Sequence, residues 1–78
     1  MAGGGLPTVS GKRVVQALTR AGFRIERITG SHHLLVSTAD PARAVTVPVH
    51  GNFDLKPGTL RSIIRQAGFT VDEFVDLL

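Results

Sequence analysis

The spacing of apolar residues changes twice along this 78-residue chain, and this change constrains the fold more than any other feature. Apolar residues recur at helical spacing after Ser10, at the two-residue spacing of strands between residues 23 and 49, and at helical spacing again after Pro57. The pattern predicts an α+β fold of one helix, three antiparallel strands and a second helix, with a short helix at the C-terminus. The two main helices would cover one face of the sheet and leave the other face open.

Residues that cap or end helices give the expected boundaries. A serine is a good N-cap, proline suits a first helical turn, and glycine ends helices in a left-handed conformation. The predicted helices run from Ser10 to Gly22, from Pro57 to Gly68, and onward from a capping box formed by Thr70 and Glu73.

The three strands are predicted over residues 23–28, 32–38 and 44–49. Pro48 lacks an N–H, so the third strand should lie at an edge of the sheet or end there. The predicted core contains Leu18, Ile25, Val47, Leu60, Ile63 and Phe74.

Length and composition predict one domain over residues 9–78, preceded by a flexible leader over residues 1–8 that contains three consecutive glycines. The chain has no cysteine, which excludes disulfides and a cysteine-based zinc site. No apolar run reaches the roughly 20 residues that a membrane span needs. We therefore expect a cytoplasmic protein that does not contact the membrane.

The charge of the chain is uneven. Residues 1–65 contain all nine Lys and Arg but only three of the six acidic residues, whereas residues 68–78 contain three acids and no base. A basic body indicates a polyanionic partner such as nucleic acid, and an ordinary solvated surface is the alternative. The chain has no Trp or Tyr, and we assign Phe23 and Phe74 to the core, so an RRM-type stacking platform is not expected.

Two of the three histidines, His32 and His33, directly follow a Gly-Ser turn. Neighbouring residues on a strand point to opposite faces. His32 shares a face with Leu34 and Val36, the more apolar set, which we expect to face the helices with His32 at its rim. Histidine can take or give a proton near neutral pH, so His32 is a candidate general base. The alternative is a half-buried histidine that caps the turn.

A metal site built from His32, His33 and His50 would need opposed neighbours to converge, and it lacks a carboxylate at useful spacing. We therefore expect no metal and no cofactor.

The segment "LKPGT" offers a possible phosphate site. The open amides of Gly58 and Thr59 at a helix start, beside Lys56, suit an anion. Alternatively, Asp54 caps this helix and occupies its end. Arg61 and Arg65 would extend the basic surface along the same helix.

Several segments, taken in order, resemble the HicA family, the toxin half of HicAB toxin–antitoxin pairs. They are "SGKRVVQALTRAGF", "GSHH", "VPVHGN" and "LKPGTLRSIIRQAG" followed by "TVDEF", and the similarity spans about residues 8–78. The resemblance implies a double-stranded RNA-binding type of fold, endonucleolytic cleavage of mRNA, and a HicB antitoxin partner that covers the site. It also implies that the histidine directly after Gly-Ser, His32, is the essential one.

The expected site therefore has His32 as its catalytic residue, with Ser31 and His50 as auxiliary candidates. The residues expected to bind RNA are Lys12, Arg13, Lys56, Gly58, Thr59, Arg61 and Arg65. Two other functions stay open at this point: a non-catalytic RNA-binding module, and a protein-interaction domain that uses the open sheet face.

Overall fold

The computed structural model describes residues 5–78 and has the predicted order of elements. The helices are α1 (Gly11–Arg20), α2 (Pro57–Ala67) and α3 (Val71–Val75), and the strands are β1 (Phe23–Thr29), β2 (His32–Ser37) and β3 (Ala44–Pro48). The strands form one antiparallel sheet in the order β1-β2-β3, so β3 is an edge strand that ends at Pro48. The α+β fold with a short C-terminal helix, of the double-stranded RNA-binding type, is confirmed. The predicted leader falls partly outside the described residues and stays a prediction.

The predicted helix caps are present. The Ser10 hydroxyl accepts a hydrogen bond from the Arg13 amide at 3.2 Å, and Thr70 and Glu73 form the capping box before α3. Gly22 and Gly68 follow α1 and α2 with φ angles of 91° and 88°, a conformation that other residues rarely adopt.

The start of α2 differs from α1 because no side chain of residues 5–78 caps it. Its N-cap residue is Lys56, which makes no side-chain capping hydrogen bond, so the alternative that Asp54 caps α2 is wrong. Asp54 instead forms an isolated antiparallel bridge with Ser10. This bridge joins the segments that precede α1 and α2, and within residues 5–78 the amides at the start of α2 stay open.

The core lies between the sheet and the helices. Of the six predicted core residues, Leu18, Val47, Leu60, Ile63 and Phe74 are buried, each at most 3% exposed. The assignment of Ile25 to the core is wrong, since this residue is 42% exposed. The reason is position: β1 is the other edge strand, and Phe23 at its start is its only buried residue.

The face that β2 turns toward the helices is the opposite of the one predicted. Leu35 and Ser37 are buried and His33 is half-buried, whereas His32 is exposed. Leu35 pairs with Val45 and His33 pairs with Val47, and both valines are buried. Because Leu34 and Leu35 are both apolar, β2 alone does not reveal its buried face, and the pairing with β3 decides it. His32 therefore lies on the open face of the sheet.

A close backbone contact joins α1 to β3. Gly11 is buried, and a Cβ atom at this position would collide with the carbonyl oxygen of Pro48. The contact brings the N-terminus of α1 to the end of the sheet where β3 finishes and β2, with His32, begins.

Candidate nucleic-acid interface

The side chain of His32 lies at one end of the open sheet face. Its direct neighbours across the sheet are Thr29 on β1 and Pro48 on β3. Within residues 5–78, its imidazole has no hydrogen bond or ion pair to another side chain or to the backbone. The ring is therefore exposed and available to a substrate.

An arginine shares this face with His32 because of a bulge in β1. The pairing register shifts between Ile25 and Arg27, so that Arg27 lies opposite Leu34. Arg27 is thus a diagonal neighbour of His32, a separation of about 7–8 Å that a long side chain can bridge. In a regular strand, Arg27 would lie on the same face of the sheet as Ile25. The extra residue in the bulge instead moves Arg27 to the opposite face, which is the open one. Sequence reasoning missed Arg27 because nothing in the residues 24–27 themselves marks the bulge.

A cleft of about 350 Å³ adjoins His32 on the other side. Its lining residues come from the end of β3, the following loop and the start of α2: Pro48, His50, Phe53, Asp54, Leu55, Lys56 and Thr59. Pro48 connects the cleft to the histidine, because directly opposed residues on paired strands have Cβ atoms about 4.5–5.5 Å apart. Three predicted site residues, His50, Lys56 and Thr59, therefore line one cleft, which is linked to His32 through Pro48.

The N-termini of α1 and α2 converge on this end of the molecule. Gly11 packs on Pro48, and the Ser10–Asp54 bridge joins the residues just before the two helices. Neither helix has an acidic residue in its first turn. A helix N-terminus carries about half a positive charge, so two of them together favour an anion here. Asp54, which is exposed and lines the cleft, is the one acid among its lining residues.

The predicted RNA-binding residues at these two helix starts are exposed. Lys12 and Arg13 lie in the first turn of α1, and Gly58 and Thr59 lie in the first turn of α2. All four therefore border the end of the sheet that carries His32.

Arg61 and Arg65 lie elsewhere. Both line a second groove of about 390 Å³ between α2 and α3, together with Ile64, Phe69, Thr70 and Val71. The structure therefore divides the predicted RNA-binding residues near α2 into two groups, with Lys56 and Thr59 at the cleft and the two arginines in the groove.

Within residues 5–78, none of the basic residues expected to bind RNA has an acidic partner. Within residues 5–78 there are two ion pairs, Arg24 with Glu26 and Arg43 with Asp40. Lys12, Arg13, Lys56, Arg61 and Arg65 take part in neither pair. Their charge is not neutralised within this part of the chain, and it remains available to an anionic ligand.

The other two histidines have different surroundings. His33 is half-buried on the helix side of the sheet, and its Nδ1 is buried without a hydrogen-bond partner in residues 5–78. His50 is exposed in the cleft.

The half-buried Ser31 accepts a hydrogen bond at its backbone carbonyl from the Val49 amide at 2.6 Å, which fixes the turn against β3. The described residues contain no group of three His, Cys, Asp or Glu side chains that could hold a metal ion.

None of the helices in residues 5–78 is long and apolar enough to cross a membrane. Among curated proteins, none matches the chain significantly. The family model for the HicA toxin of bacterial toxin–antitoxin systems matches residues 11–69, well over half of the chain. The matched range includes α1, the sheet with His32, the cleft and α2. A toxin of such a system implies an antitoxin partner. The chain belongs to the HicA toxin family of bacterial toxin–antitoxin systems.

Proposed function

We propose that this toxin is a metal-independent endoribonuclease that cleaves mRNA in the cytoplasm with His32 as its general base. The observation that carries the proposal is the position of His32, exposed on the open sheet face at the end of the molecule where two helix N-termini converge and where Lys56 and the start of α2 line a cleft. Membership of a family whose toxins generally cleave mRNA supports the choice of substrate.

The reaction uses a nucleophile that RNA itself supplies. The neutral imidazole of His32 takes the proton of a ribose 2′-OH, and the 2′-oxygen attacks the adjacent phosphorus. The bond from phosphorus to the 5′-oxygen breaks, and the leaving oxygen takes up a proton. The products are a 2′,3′-cyclic phosphate and a 5′-OH end. A positioned general base contributes roughly 10²–10⁴-fold to such a step.

The negative charge that builds up on the phosphate oxygens needs donors nearby. Arg27 is placed for this role as the diagonal neighbour of His32 on the open face. On the cleft side, Pro57 has no N–H, and the Leu60 amide donates to the Lys56 carbonyl at 3.0 Å. Within residues 5–78, Gly58 and Thr59 therefore have the first free amides of α2, and with Lys56 they can bind a neighbouring phosphate.

The leaving 5′-oxygen needs a proton donor. His50 is the side chain in the cleft best suited to this role, because it is exposed and imidazole can donate a proton near neutral pH. Solvent is the other source of that proton. Ser31 acts on this site through its backbone, by holding the turn that presents His32.

The open face also suits a protein partner. Leu34 and Val36 are apolar, half-buried and on the same face as His32. A HicB-like antitoxin that covers these residues would bury His32 and block access of RNA. Antitoxin binding and RNA binding should therefore exclude each other.

The test is cleavage of a short end-labelled RNA by purified protein in excess EDTA. We expect cleavage with 2′,3′-cyclic phosphate and 5′-OH ends, and a lower rate at acid pH because a protonated imidazole cannot accept a proton. A matched RNA with a single 2′-deoxy residue at the cleavage point should stay intact, since it lacks the nucleophile.

Two results would contradict the proposal. Activity that disappears in EDTA and returns with a divalent ion would mean a metal-dependent reaction. RNA that binds but stays intact under all conditions would favour the non-catalytic RNA-binding module.

A further inference from the structure

Phe53 is an aromatic residue that the fold leaves in solvent. It is 77% exposed, more than the other exposed large apolar side chains, Ile25, Ile28 and Val75. Its loop is ordered by a hydrogen bond from the Phe53 amide to the His50 carbonyl at 3.0 Å. The side chain therefore contributes little to the core, and its position requires another explanation.

The surroundings of Phe53 point to the kind of ligand. It lines the cleft together with Lys56 and Thr59, at the uncapped N-terminus of α2. The cleft thus combines one aromatic face with groups that attract an anion. A nucleotide has the matching combination of a flat base and a phosphate. A purely apolar partner would leave Lys56 and the open amides unmatched.

We propose that Phe53 stacks on a base of the RNA substrate while Lys56 and the start of α2 hold a neighbouring phosphate. The proposal rests on the function proposed above. Pro48 borders both the cleft and His32, so a base held at Phe53 lies close to the catalytic residue. The stacked base determines which phosphate of the RNA reaches His32. Because every base has a flat face, the contact increases the affinity for RNA and fixes the position of the RNA along the site. It gives little preference for one base over another.

The chain contains no Trp and no Tyr, so the fluorescence of an introduced tryptophan reports on this contact without background from other residues. Phe53→Trp places a single tryptophan at the proposed stacking position. The experiment uses this variant in a His32→Ala background, so that a single-stranded RNA stays intact during titration. We expect RNA to quench the tryptophan fluorescence. In the matched control Ile25→Trp, at an exposed position on the edge strand β1 that lines neither the cleft nor the groove, RNA should cause no quenching.

Affinity measurements separate stacking from charge. Phe53→Ala should weaken RNA binding roughly 5- to 150-fold, the range expected for one aromatic–base stack, with an unchanged dependence on salt. Lys56→Ala should reduce the log–log salt slope by about 0.7. An RNA with an abasic site at the stacked position should bind wild type and Phe53→Ala equally well.

Three results would overturn the proposal. One is bound RNA with no quenching of Phe53→Trp. A second is an affinity of Phe53→Ala for RNA equal to that of wild type. A third is a Phe53→Ala variant that loses only antitoxin binding, which would assign Phe53 to the protein interface. Each of these is distinct from failure of the nuclease proposal, in which wild-type protein leaves RNA intact.

Discussion

At the scale of single residues, His32 and His33 are adjacent in the chain and have opposite surroundings. His32 is exposed on the open face, whereas the Nδ1 of His33 is buried among apolar neighbours with no partner in residues 5–78. A buried polar atom without a hydrogen bond costs about 1–3 kcal/mol. His33 therefore serves packing at some cost in stability.

This cost gives a prediction for His33→Leu. Replacing the imidazole by an apolar side chain removes the unpaired nitrogen, so the free energy of unfolding in urea should stay level or rise by up to about 1 kcal/mol. Cleavage of RNA should be retained, because His33 faces away from His32. The matched control is His50→Leu, an exposed position where the change in stability should stay within about 0.5 kcal/mol. A large loss of stability in His33→Leu would mean that the imidazole makes a polar contact.

At the scale of elements, the contact between α1 and β3 holds the site together. Gly11 has no room for a Cβ beside the Pro48 carbonyl, and neither backbone can easily move. The same contact places the N-terminus of α1 beside the end of the sheet that carries His32. A substitution that disrupts this contact should therefore lower the stability of the protein and also alter the candidate site around His32.

Gly11→Ala should therefore destabilise the protein by roughly 1–3 kcal/mol, the usual cost of overpacking, and should also weaken RNA binding. Gly58→Ala is the control for stability, since no atom of residues 5–78 lies within 4 Å of a Cβ at that position of α2. It should be neutral or stabilise by up to about 1 kcal/mol, because alanine favours helix more than glycine does. Equal melting temperatures for Gly11→Ala and wild type would contradict the close contact.

The elements themselves could be predicted from sequence because their signals are local. Ser10, Pro57 and the Thr70–Glu73 pair mark helix starts through their own hydrogen bonds or fixed geometry. The buried face of β2 and the exposure of Ile25 could not be predicted, because they depend on pairing with β3 and on which strands the helices cover. Arg27 joins the site through the bulge, which likewise becomes visible only once β1 and β2 are paired.

At the scale of the whole molecule, charge is separated along the chain. The net charge is +3, and α3 with the residue after it contains three acids, Asp72, Glu73 and Asp76. The basic residues expected to bind RNA lie in two areas: at the helix starts beside the cleft, and in the groove of Arg61 and Arg65. Whether RNA reaches from one to the other can be measured through its salt dependence.

Binding of single-stranded RNA should weaken as salt rises, with a log–log slope of about −0.7 for each phosphate contact. The double variant Arg61→Ala, Arg65→Ala should reduce the magnitude of the slope by about 1.4 if RNA extends over the groove, as the sequence predicts. Arg20→Ala is the control, because Arg20 donates to the Leu77 carbonyl at the C-terminal end of α1. A slope unchanged in the double variant would confine the RNA to the cleft.

The role of His32 as the catalytic base is tested most directly by the single-turnover cleavage rates of His32→Ala and His33→Ala in EDTA. We expect His32→Ala to lose cleavage and growth arrest while its circular dichroism and melting temperature match those of wild type, since the side chain is exposed. His33→Ala should cleave at a rate near that of wild type. An inactive His33→Ala variant together with an active His32→Ala variant would contradict both the orientation of the two histidines on β2 and the assignment of His32 as the general base.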